Sequence, residues 1–305
     1  MSHLRRDAVR VVVPATSANL GPAFDSAGLA LSVFDDLVAM ATDDEGVLVE
    51  ISGEGEASLP RDEQHLVVRS MRAAFDWLDV AAPGFVLRCI NSIPHGRGLG
   101  SSAAAIVGGI VLARAMVDDG RERMTDDDVL QLALRQESHP DNLAAALHGG
   151  FTVAWLEADG RADAVRMAAH EQVRPVVMVP SLALSTAQAR TLLPESVTLA
   201  EATVNISRSA LLVHALTVDP TRLLAATEDR IHQASRAGAY PDSVALVQRM
   251  RETGVPAVIS GAGPSVLAFI DASNEHVLAS MDEGDWIIRE VAVSSTGARE
   301  VPLLA

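Results

Sequence analysis

Nine residues, Pro94-His95-Gly96-Arg97-Gly98-Leu99-Gly100-Ser101-Ser102, place three glycines between two different apolar patterns, and this stretch restricts the fold more than any other. Before it, Phe85 to Ile90 is apolar and β-branched and ends at Asn91-Ser92, which reads as a strand. After it, Ala103, Ile106, Val107 and Ile110 recur at i, i+3, i+4 and i+7, one face of a helix. The order is strand, glycine loop, helix. Glycines permit positive φ and close approach of a ligand to the main chain, and Ser101 and Ser102 are good capping residues where the helix begins. The free N–H groups and positive dipole end of such a helix suit a phosphate. A glycine turn that merely connects two elements would show the same local pattern.

One absence narrows the chemistry. All 24 basic residues are arginine and the chain has no lysine. A Walker A loop needs a lysine after its last glycine, a protein kinase needs a strand lysine, and pyridoxal phosphate needs a lysine Schiff base, so all three are excluded. The formal net charge of -16 argues against a nucleic-acid partner, which requires a basic face. A small anion remains compatible with local N–H groups, an arginine or two and a divalent cation. The lone cysteine, Cys89, lies within the apolar strand and reads as a small buried hydrophobe in a reducing compartment. The basic start, Met1 to Arg10, has no signal-peptide core behind it, and no run approaches the ~18 apolar residues of a membrane span. The expectation is a cytoplasmic protein without membrane contact. At 305 residues, 49% of them hydrophobic, the chain can bury a large core, in one large domain or, preferably, two.

In chain order, Val9 to Val13 reads as a strand and Pro14 to Asp25 as a polar turn. Leu29 to Phe34 and Leu37 to Ala41 read as two strands joined by Asp35-Asp36, and Val47 to Ile51 as another. Glu63 to Leu78 carries a helical stripe. Thr125 and Asp128 look like cap and first-turn acid of a helix over 126–137, and Pro140 opens a further helix that gathers His139, Asp141 and Asn142 at its start. Phe151 to Leu156 returns as a strand. The polar, alanine-rich segment Glu157 to Glu171 is the expected domain boundary, dividing the chain into 1–165 and 166–305. Beyond it come a strand (Val173 to Val179), helices starting at Ser185, over 199–216, over 220–229 and over 243–252, and a strand–turn–strand from Val255 to Ile270 about Gly261-Ala262-Gly263-Pro264. A short helix over 276–281 and a strand over 286–293 finish the chain. Early strands followed by later helices argue for an α+β fold rather than a doubly wound parallel sheet.

Three motifs in fixed order, PATSANLGPAFD, PHGRGLGSSAAA and ISGAGPS, resemble those of the GHMP small-molecule kinases, and NLGPxFD, ESHPDN, STAQAR and DRIHQASR resemble the homoserine kinase family in particular. The likeness extends over roughly residues 9 to 270. It implies a ribosomal-protein-S5-domain-2-like N-terminal half, a ferredoxin-like C-terminal half, and transfer of the ATP γ-phosphoryl to the hydroxyl of L-homoserine with Mg²⁺. It also implies a nucleotide cradle over Pro94, His95, Gly96, Arg97, Gly98, Leu99, Gly100, Ser101, Ser102, Ala103 and Ala104. Ser102 and Glu137 are the implied magnesium ligands, as hard oxygen donors. Asn19 and Asp25 match residues at the amino and hydroxyl end of the substrate, His139 a substrate contact, and Arg190 and Arg236 the carboxylate or phosphate end. Asp141 could serve as general base, although direct attack by a positioned hydroxyl is the preferred reading, with Asp141 and Asn142 shaping the site. Gly261 belongs to a turn that either closes the pocket or is an ordinary hairpin. A homodimer is implied by likeness alone. The chain departs from the family pattern at Ala23 (usually Gly), His65 (commonly Asn), Ser138 (usually Gly) and Ala234-Ser235 (usually Pro-Tyr). The rivals are a kinase for another small alcohol and a catalytically silent ligand-binding regulator.

Overall fold

A computed structural model describes residues 4–279 and 286–303. It is an α+β molecule with two sheets. The strands of the first are β1 (Val9–Ala18), β2 (Ala27–Thr42), β3 (Val47–Gly53), β4 (Gly84–Asn91), β5 (Phe151–Leu156), β6 (Ala162–Met167) and β11 (Arg299–Val301). Their order is β11-β1-β2-β4-β3, with β5 pairing both β2 and β6. Strand β2 is long enough to serve three neighbours: it pairs β1 along its length, β4 through residues 36–42 and β5 through residues 27–29. The second sheet comprises β7 (Arg174–Pro180), β8 (Ala257–Ile259), β9 (Val266–Ile270) and β10 (Trp286–Glu290), in the order β10-β7-β9-β8, all antiparallel.

The helices are α1 (Leu66–Trp77), α2 (Ser101–Ala115), α3 (Gly120–Arg123), α4 (Asp126–Leu134), α5 (Pro140–His148), α6 (Thr186–Arg190), α7 (Leu199–Thr217), α8 (Leu223–Ala226), α9 (Pro241–Glu252) and α10 (His276–Ala279). Helix α2 carries apolar residues on every side, and Ala103 through Arg114 are buried apart from Ala105. It is a central helix rather than the one-sided one its spacing suggests, packed against α1, β1, α4 and α5. The period-2 alternation of β7 divides its side chains between two cores. Val177 and Val179 join the large core around α2, while Val176 and Met178 face Leu246 and Met250 of α9.

Several expectations are corrected. The turn expected from Pro14 begins only after Ala18, because Pro14, which has no N–H to give, sits where the β1–β2 register shifts. The two strands expected about Asp35-Asp36 are one, β2. Asp35 is tolerated inside it because its carboxylate accepts the N–H groups of Ser92 and Ile93, at 2.7 and 2.9 Å. The helix expected over 220–229 is a 3₁₀ turn, Pro220–Arg222, followed by the single turn α8. Met281, the expected end of the short C-terminal helix, lies outside the described residues. Residues 157–171 contain β6, which pairs β5, and β11 returns the chain to β1. The expected division at 165/166 therefore falls inside a strand of the first sheet. Among the described residues, no helix is long and apolar enough to cross a membrane.

Candidate active site

Six segments meet at a cavity of about 170 Å³. They are the turn from β1 to β2, the glycine loop from β4 to α2, the turn from α4 to α5, helix α6, the 3₁₀ turn Ala234–Arg236, and the β8–β9 turn. The glycine loop fits so closely that two of its positions exclude any side chain. A Cβ on Gly98 (φ 74°) would stand 2.2 Å from the Ser260 carbonyl oxygen, and one on Gly100 (φ 70°) 1.9 Å from Thr16 Oγ1. The β8–β9 turn locks onto this loop: Ser260 Oγ donates to the Gly98 carbonyl at 2.6 Å, and the Ser265 N–H donates to the Arg97 carbonyl at 3.2 Å. That turn is thus part of the pocket wall, through Gly261 and Ala262, and not a detached hairpin.

Gly100, not a serine, occupies the N-cap of α2, with no side-chain cap bond. Ser101 and Ser102 lie in the first turn instead, where main-chain N–H groups lack helical partners. Ser101, Ser102 and Ala103 all face the cavity, which leaves this helix end open to an anion. Ser102 Oγ donates to Glu137 Oε2 at 3.2 Å, and His139 Nδ1 lies 3.3 Å from Glu137 Oε1. His139 and, more weakly, Ser102 and Arg190 hold the Glu137 carboxyl below its ordinary range, so it is ionised near neutrality. Among the described residues no group of three or more His, Cys, Asp or Glu side chains could hold a metal alone. The pair of Ser102 and Glu137 beside an anion-binding helix end fits a small hard cation that arrives with phosphate oxygens of its own.

At the opposite wall, Arg190 Nη2 donates to Asp25 Oδ1 at 2.6 Å. Asp25 is held in the left-handed region (φ 53°) by Asn19, whose Oδ1 accepts the Asp25 N–H at 2.9 Å and whose Nδ2 donates to the Gly261 carbonyl at 2.9 Å. Asn19 is thereby occupied at both ends, as a brace for Asp25. Arg236 is 1% exposed and still reaches the cavity, yet among the described residues no carboxylate pairs with it. Both guanidinium groups stack on the Phe24 ring, at 5.6 Å for Arg190 and 5.5 Å for Arg236. Phe24 escaped the sequence reading, although it stands within PATSANLGPAFD beside Asp25; an aromatic next to an acid in a motif loop was the available signal.

Asp141 is 2% exposed, and burial pushes its carboxyl up to about 7, against the opposing hydrogen bond from the Asn142 N–H. Asn142 Oδ1 accepts from Thr16 Oγ1 at 2.6 Å, tying α5 to β1. The remaining loop residues do not face this cavity. Arg97 turns away to the carbonyls of Pro180, Ser181 and His95, and Leu99 is buried while its carbonyl accepts the Thr16 N–H. Pro94 likewise contributes nothing to the lining. His95 and Ala104 line a second, largely apolar cavity of about 230 Å³ across the start of α2, together with Leu59, His65 and Val67. Ser101 and Ser102 border both cavities.

Residues 65–150 match the family described as GHMP kinases N terminal domain. Over nearly its whole length the chain is similar to homoserine kinases. It is 52% identical to that of Streptomyces coelicolor over 299 residues, covering 98% of this chain and 96% of the relative. It is 50% identical to that of Clavibacter michiganensis, covering 95% and 93%. The chain belongs to the homoserine kinase family. A solved structure of the family from Cytophaga hutchinsonii shares the fold, with a TM-score of 0.83 at 23% identity and coverage of 98% and 99%. A putative homoserine kinase from Listeria monocytogenes gives a TM-score of 0.75 at 26% identity, covering 97% of this chain and 99% of that one.

Proposed function

We propose that this protein transfers the γ-phosphoryl group of ATP to the side-chain hydroxyl of L-homoserine, giving O-phospho-L-homoserine, with Mg²⁺ as the accompanying cation. The observation that carries this reading is Arg236: a buried guanidinium that faces the cavity with no carboxylate in ion-pair contact, among the described residues, is suited to an anionic substrate group. Arg190 and Asp25 next to it supply one further positive and one negative group. Together they suit a zwitterion, with the carboxylate on the arginines and the ammonium on Asp25. An isoprenoid alcohol offers no ammonium for Asp25.

The β- and γ-phosphates would lie on the N–H groups at the start of α2, where the dipole favours negative charge, and the nucleoside in the apolar cavity across it. Ser102 and Glu137 would hold the magnesium ion, which neutralises charge on the transferring group. The substrate hydroxyl would then point toward His139, Asp141 and Asn142, with Gly261 and Asn19 closing the opposite side. Because the phosphoryl-transfer transition state is loose, positioning and charge carry most of the catalysis, and Asp141 and Asn142 shape the hydroxyl subsite without taking a proton.

The test is ADP release over a panel of L-homoserine, L-serine, mevalonate and shikimate, with the product read by phosphorus NMR. Turnover of homoserine above the other three is expected. ATP binding without turnover of any member would instead identify a regulator.

A further inference from the structure

DRIHQASR contributes one more polar group to the site than the arginine already placed there. His232 is fully buried, and its ring packs against Phe24 with centroids 5.0 Å apart, on the same aromatic that carries both guanidinium groups. Its two nitrogens face different partners. Nε2 lies 2.7 Å from the Gly21 carbonyl oxygen, which can only accept, so Nε2 carries the proton. Nδ1 then presents a lone pair, and Arg236 Nη1, which can only donate, lies 3.3 Å from it. Burial keeps the imidazole neutral and so preserves that lone pair.

The surroundings hold this arrangement in place. Asp229 accepts the N–H groups of Ile231, His232 and Gln233 and the amide of Asn205, which fixes the turn bearing the histidine. Arg236 Nε donates to the Ala189 carbonyl at 3.1 Å, Nη1 meets His232 Nδ1, and the Tyr240 hydroxyl also interacts with the guanidinium, which still lines the cavity. Without the Nδ1 acceptor, Nη1 would lose the side-chain partner that fixes its direction, while Ala189 and the Phe24 ring would still hold the rest of the group.

We propose that His232 is a positioning residue: its Nδ1 lone pair aims the Arg236 guanidinium at the cavity and so sets affinity for the substrate's carboxylate. The inference rests on the reading of Arg236 given above, and two substitutions separate an aiming role from a merely structural one. His232→Gln can keep a donor near the Nε2 position but loses the acceptor near Nδ1, whereas His232→Asn does the reverse. The expected result is a homoserine KM raised about tenfold or more in His232→Gln and within about threefold of wild type in His232→Asn, as for one hydrogen bond to a charged group. The KM for ATP stays unchanged in both. With 3-aminopropan-1-ol, which is homoserine without its carboxylate, neither substitution lowers kcat/KM relative to wild type.

The opposite order of the two variants would overturn the proposal, because it would follow the shorter Nε2 bond that only holds the fold. Equal losses on both substrates would also overturn it. Should wild-type protein fail to turn over homoserine, the functional reading falls, and a crystal structure of His232→Gln still decides this inference. A guanidinium of Arg236 displaced from the cavity supports it, and one left in place refutes it.

Discussion

Asp141 is a carboxyl group whose ionisation the fold postpones to higher pH. Its ionisation in the native state is pushed from 3.8 to about 7 by burial, so between these values the unfolded chain releases a proton that the folded chain retains. Stability is therefore lost as pH rises from about 4 to about 7, and the full cost is present above 7. Asp141→Asn removes that cost. Its Tm should exceed that of the parent clearly at pH 8 and by less at pH 5, and a difference independent of pH would contradict the burial argument. On the direct-attack reading, the same variant retains kcat within about tenfold, since a true general base contributes about 10²-fold or more. Arg190→Ala should raise the homoserine KM with little effect on the KM for ATP, because its partner is Asp25 and not the glycine loop. At this scale Asp25, Glu137, His139, Arg190 and Arg236, singled out inside motifs, all face one cavity, whereas Arg97, equally charged and inside the glycine motif, turns away from it. The sequence was silent on which groups engage one another. That Asn19 is spent on bracing Asp25, and that Arg190 and Asp25 pair across 165 positions, are products of tertiary packing.

Among the elements, the junction of β4, glycine loop and α2 matters most for function, and its glycines are the sharpest test of it. Gly98→Ala must accommodate a Cβ 2.2 Å from a backbone oxygen while holding φ at 74°, so it should lower Tm markedly and raise the KM for ATP together. Thr125→Ala, at the N-cap of α4, removes a complete capping box with Asp128. It should cost about 1 kcal/mol of stability and leave both KM values unchanged. That capping box was readable from residue types alone, as were β4, α2 and the hairpin at Gly261. Strand β2 was not, because two adjacent acids imitate a turn until the N–H groups that Asp35 accepts are known. The serines after Gly100 were credited with capping for a similar reason: local propensity favours them there, but the left-handed turn that delivers the loop to Thr16 and Ser260 requires glycine at the cap.

At the scale of the whole molecule, the net charge of -16 opposes the binding of an anion, and the magnesium ion proposed above would reconcile the two. Chelation of divalent metal with EDTA should abolish phosphoryl transfer, and added Mg²⁺ should restore it. Mg²⁺–ATP at about 100 times its dissociation constant should stabilise the fold by about 2.7 kcal/mol, seen as a rise in Tm that a Gly98 variant lacks. The α+β class was legible from the order of strands and helices, yet the limits of the two sheets were not, since only pairing reveals that β6 and β11 belong with β1. That last pairing bears on how firmly the site is held. Residues 299–301 seal the outer border of the strand that leads directly into the Asn19–Asp25 turn. An early strand thus leans on a late one, and whatever detaches residues 299–301 also frees one edge of the strand that carries the Asn19–Asp25 turn.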